Sequence, residues 1–137
     1  MTTIIILYTY LILCSITDIR TKKINLKICI LFFVLGLFIN IFFITPGIHI
    51  LIYNLIPGIC LLIISKLTHG AVGSGDALIF IIISFYMQSA STLIILFFSL
   101  LAASLFSIIL IAKKYSRKYT LPFAPFITLG YTIFVFL

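Results

Sequence analysis

Thr92-Leu93-Ile94-Ile95-Leu96-Phe97-Phe98-Ser99-Leu100-Leu101-Ala102-Ala103-Ser104-Leu105-Phe106-Ser107-Ile108-Ile109-Leu110-Ile111-Ala112 runs for 21 residues without a charge. As an α-helix, at 1.5 Å per residue, it is about 30 Å long, the thickness of a bilayer's hydrocarbon core. Five further apolar runs surround it, over residues 2–17, 28–44, 48–65, 76–87 and 121–137. The chain is 64% hydrophobic and 8% charged, with a mean hydropathy of +1.44. A soluble domain carries roughly 25% charged residues, so this chain cannot cover a surface facing water. Long continuous runs, without strand-like alternation, predict helices and exclude a barrel. The expectation is an all-α polytopic membrane protein of six transmembrane helices, forming one membrane-embedded domain over residues 1–137. The first run lacks the basic start and small-residue cleavage site of a signal peptide.

The loops between the runs divide by charge. Residues 18–27 hold Arg20, Lys22, Lys23 and Lys27; residues 66–75 hold Lys66; residues 113–118 hold Lys113, Lys114, Arg117 and Lys118. These three loops alternate with two uncharged turns, Thr45-Pro46-Gly47 and Gln88-Ser89-Ala90-Ser91. The positive-inside rule then puts the basic loops in the cytoplasm and both termini outside. Lysines in short loops between membrane spans serve topology and anionic lipid, so the net charge of +7 is not a nucleic-acid footprint. Pro57-Gly58, inside the third run, predicts a kink. Cys14, Cys29 and Cys60 lie far apart in apolar runs and read as small core residues, with no disulfide framework and no metal site.

Only two acidic residues occur, Asp18 and Asp76. One closes the first run and the other opens the fourth, so both fall at the same cytoplasmic depth. Asp76 ends Gly73-Ser74-Gly75-Asp76, where glycines let backbone turn or another chain approach. An ionisable group at a membrane helix end is a functional hypothesis by default. Two at one depth predict an aspartic dyad, in which one carboxylate takes a proton from water and the other gives one to a carbonyl. The helix ends assign the roles: Asp76, at a helix N-terminus, as the ionised base, and Asp18, at a C-terminus, as the acid. His49 falls on the opposite side, and His69 and Lys66 read as interfacial residues. Two rival readings are a small transporter or proton pathway, and a non-enzymatic assembly subunit.

Three stretches, Asp18-Ile19-Arg20-Thr21-Lys22-Lys23-Ile24, Gly73-Ser74-Gly75-Asp76 and Pro122-Phe123-Ala124-Pro125-Phe126 with Gly130, together resemble the type IV prepilin peptidase family, which includes preflagellin peptidases. The resemblance implies catalytic residues Asp18 and Asp76, supported by Gly73, Ser74 and Gly75, and no cofactor. It implies a multi-pass protein of the cytoplasmic membrane. The implied substrate is prepilin-like or preflagellin-like, with a short basic leader cut after Gly and an apolar helix in lipid. Assembly of several copies stays open. Two positions depart from the family pattern: Asn25-Leu26 stands where many relatives have Pro-Asn, and Leu78 where many have Lys. The cytosolic insertion with paired cysteines is absent, so methyltransferase activity is not implied.

Topology is open to direct measurement. With Cys14, Cys29 and Cys60 removed, Ser116→Cys is expected to be shielded from an impermeant thiol reagent in intact cells, and Ser89→Cys to react. The reverse labelling would overturn the cytoplasmic placement of both aspartates.

Overall fold

In a computed structural model, residues 2–44, 47–68, 73–87, 89–113 and 122–137 are described. They form six α-helices and no strand. These are α1 (Thr2–Thr21), α2 (Leu26–Ile39, continued by a wider π turn over Asn40–Ile44), α3 (Ile48–Leu67), α4 (Ser74–Tyr86), α5 (Ser89–Ala112) and α6 (Ala124–Phe136). Thr45 and Pro46 of the first uncharged turn, His69, the glycine segment before Gly73, Gln88 and the basic residues Lys114, Arg117 and Lys118 lie outside the described residues. Residues 2–21, 49–67 and 89–112 are long and apolar enough to cross a membrane, while the helical segments at 26–42, 74–86 and 124–136 are shorter.

Two boundaries differ from the sequence reading. α1 runs through Asp18 for most of another turn to Thr21. Thr17 and Thr21 return their hydroxyls to carbonyls one turn back, and Arg20 complements the helix C-terminus. Ser89, Ala90 and Ser91 are the first turn of α5, not a turn between helices. There the Ser89 N–H donates to Asn54 Oδ1 at 3.2 Å, which satisfies one of the donors left open at a helix start.

α4 is the inner element. Ala77, Ile79, Phe80 and every residue from Ile82 to Tyr86 are buried, against α2 and α3 with α1 and α5 beside them. At 13 residues it is only about 20 Å long. Lipid is as apolar as leucine, so packing and interhelical hydrogen bonds hold such helices together. Helix α3 passes continuously through the buried pair Pro57-Gly58, and a Cβ on Gly58 would stand 2.7 Å from Ile81 Cα. The predicted kink point is therefore where the α3 and α4 backbones nearly touch. On α2, Asn40 Nδ2 donates to Phe85 O at 2.7 Å, and Tyr86 Oη donates back to Phe32 O at 2.8 Å. Ser15 and Thr128 share a 2.7 Å hydrogen bond between α1 and α6. Cys14 and Cys29 are buried, and Cys29 contacts Tyr10 Oη at 3.5 Å; Cys60 is exposed.

Tyr131 is fully buried on α6, edge-on to Tyr8, and its hydroxyl has no hydrogen-bond partner among the described residues. A buried hydroxyl without a partner costs about 1–3 kcal/mol. Tyr131→Phe keeps the ring and removes the cost, so it should raise stability by about 1 kcal/mol, read from thermal unfolding in detergent. A loss of similar size would show that the hydroxyl is bonded.

Candidate active site

Asp18 lies one turn from the end of α1 and is 7% exposed. Its Oδ2 accepts the N–H of Ala124, the first residue of α6, at 3.0 Å. Phe123, the residue before α6, makes no side-chain cap, and proline follows in the first turn. The open N–H at the start of α6 is thus capped by a carboxylate from 106 positions earlier in the chain. The same contact places negative charge against the positive end of α6.

After α1 the chain turns back on itself. Lys22 is the described non-glycine residue in the left-handed region, at φ 52°, and its N–H donates to Asp18 O at 2.8 Å. A single left-handed residue with a bond back into the last turn is a common way to end a helix, although glycine usually occupies it. Thr21 Oγ1 donates to Lys23 O at 3.0 Å and braces the turn. Asn25 then caps α2, its Oδ1 accepting the Lys27 N–H at 3.0 Å. That gives a physical reason for Asn25 where the resemblance expects proline: a side-chain oxygen starts the next helix.

Asp76 is the third residue of α4 and half-buried. An acid in the first turn suits the helix dipole. The residue before α4, Gly73, offers no side-chain cap, and the Asp76 carboxylate folds back over it. A Cβ on Gly73 would stand 2.6 Å from Asp76 Oδ2. At that position a side chain would displace the carboxylate.

Asp18 and Asp76 line one cavity of about 480 Å³. Gly73, Ser74 and Gly75 line it with Asp76; Lys22, Lys23 and Ile24 line it from the α1–α2 link, and Pro122 and Phe123 from the start of α6. All five residues singled out in the sequence are therefore brought together. Leu78 also faces the cavity, so the position where relatives carry Lys is apolar here, and the positive charges in the wall come from Lys22 and Lys23. Two carboxylates on one cavity repel when both are ionised. Such a pair can pass protons to and from a water and a carbonyl held between them. Among the described residues, no three His, Cys, Asp or Glu side chains group closely enough to hold a metal ion.

The sequence reading quoted Pro122-Phe123-Ala124 without assigning it a task. Its signal was local: proline at a helix start leaves few donors, and the remaining one must be satisfied. The link residues Lys22, Lys23 and Ile24 belong to the first of the three quoted stretches, a basic segment followed by isoleucine, which by itself assigns none of them a contact.

Comparison with protein-family models matches residues 5–108 to the type IV leader peptidase family. That stretch carries both aspartates and stops before the Pro122–Phe126 segment. No curated protein and no solved structure matches the chain.

The cap on α6 predicts a difference between two substitutions. Asp18→Asn keeps an oxygen for the Ala124 N–H, whereas Asp18→Ala leaves that buried donor open. Thermal unfolding in detergent should find Asp18→Ala less stable than Asp18→Asn by about 1–3 kcal/mol. Equal stabilities would mean that Asp18 does not cap α6.

Proposed function

The chain belongs to the type IV leader peptidase family, and from that premise we propose that it is an aspartic endopeptidase of the cytoplasmic membrane whose dyad is Asp18 and Asp76. The observation that carries the proposal is their shared cavity: two acids, the only two in the chain, reach it from two different helices. The substrate is a prepilin-like or preflagellin-like protein with a short basic leader, cut after Gly at the cytoplasmic face. Its apolar helix lies in lipid beside the enzyme, and the leader segment enters the cavity in extended form. The six helices all cross the membrane, with both termini outside.

In the reaction, water sits between the carboxylates and attacks the scissile carbonyl. One carboxylate removes the water's proton as the other donates its own to the carbonyl oxygen. Reading each aspartate from its own helix made Asp76 the base and Asp18 the acid. Helix α6 removes that asymmetry, because its N-terminus points at Asp18 through Ala124. Each carboxylate now stands at a helix N-terminus, so the helix dipoles assign no separate roles.

A proton pathway would need polar groups continuing across the bilayer. The deep polar side chains Ser15, Asn40 and Asn54 are instead engaged in bonds between helices, which favours the peptidase.

Purified protein in liposomes with a leader-bearing substrate tests the proposal. Asp18→Asn and Asp76→Asn should each abolish cleavage while the protein stays folded, and the double variant should be no worse than either, because groups acting as a unit are not additive. Near-normal cleavage by either single variant would sink the dyad.

A further inference from the structure

The two acid-bearing helix ends must be held at a fixed separation, yet α1 and α4 share only a small contact. The α1–α2 link supplies the missing gauge. Ile24 follows the turn set by Lys22 and leans onto the bare Cα of Gly75, the residue next to Asp76. A Cβ on Gly75 would lie 2.7 Å from Ile24 Cδ1, 3.1 Å from Cγ1 and 3.2 Å from Cβ. Three atoms of one side chain crowd that point, so a shift of the Cδ1 methyl alone does not relieve it. Ile24 is also half-buried and packed on the hydrophobic core, which limits its retreat. Both residues line the cavity.

We propose that Ile24 is a positioning residue for the proposed peptidase reaction: its contact with Gly75 sets the spacing between Asp18 and Asp76. The inference rests on the peptidase reading. It gives Gly75 a task of its own, as the seat for the isoleucine. It also gives the unusual backbone at Lys22 a purpose, since the left-handed turn aims the next two residues at the cavity. Proton transfer through water between two carboxylates depends on tenths of an ångström, and a wedge of fixed size is one way to hold it.

The test is a swap that moves one carbon across the contact. Gly75→Ala adds a methyl that pushes Ile24 away. kcat should fall by about 10²-fold, the scale of a 1 Å misplacement, with KM little changed. Gly75→Ala combined with Ile24→Val removes the crowded Cδ1 and should recover at least tenfold of that loss. Ile24→Ala, with Gly75 intact, opens the gap instead and should lower kcat without raising KM. Thermal unfolding of each variant accompanies the kinetics; if Gly75→Ala does not fold, Ile24→Ala carries the test alone. A double variant as slow as Gly75→Ala, or an Ile24→Ala enzyme with full kcat, overturns the role of Ile24 and leaves the dyad standing. A wild-type protein that cleaves no leader substrate, or cleavage indifferent to Asp76→Asn, overturns the peptidase reading and this inference with it.

Discussion

The bond from the Ala124 N–H to Asp18 Oδ2 solves two problems at once. Near a membrane surface, an open backbone donor and an unpaired carboxylate are each costly when buried. Joined, each satisfies the other. The rest of the site follows from where this bond pins the helix ends. α6 starts beside the end of α1, so Pro122 and Phe123 become a wall of the cavity. The chain leaving α1 must turn away at once, and it does so through Lys22 in a conformation that an L-residue seldom adopts. The turn delivers Lys23 and Ile24 to the cavity lining.

Around that cap, the bundle is held by close approach more than by bulk burial. Gly58 lets α3 meet α4 at backbone distance, and Gly130 does the same for α6 against Ser99 and Ile95 of α5. Polar side chains placed deep in the apolar helices bond to carbonyls of neighbouring helices. This is the economy expected of helices in lipid, where apolar faces gain nothing by leaving one another's company for hydrocarbon. The outward-facing Ile, Leu and Phe residues of α2, α3 and α5 fit a lipid environment for the same reason. α4, shorter and wrapped by its neighbours, carries Asp76 at the start of a largely buried helix.

Helical class was legible because an uncharged run such as 92–112 has no other stable form in a membrane. The two aspartates were legible because acids are so scarce here that each demanded a reason. Counting spans gave them a common depth, and both line one cavity. Other features depend on contacts between distant segments, which no local pattern encodes. Asn54, a polar residue inside the third apolar run, bonds the start of α5. Pro57-Gly58 read as a kink, and it is also the point where α3 packs on α4. Asp18 read as a dyad member at the C-terminus of its own helix, because nothing near it in sequence shows that α6 begins against it. Roles drawn from each aspartate's own helix dipole failed to reckon with a third helix for that reason.

The cap also has a consequence in time. Asp18 and its partner Ala124 are separated by 106 positions, and a ribosome adds about 5–20 residues per second. For roughly 5–20 seconds of synthesis, then, the first aspartate exists without the donor that orders it, and the cavity lacks one wall. The order of the two segments in the chain thus fixes an order of assembly: the Asp18 side of the cavity is made first, and α6 closes it.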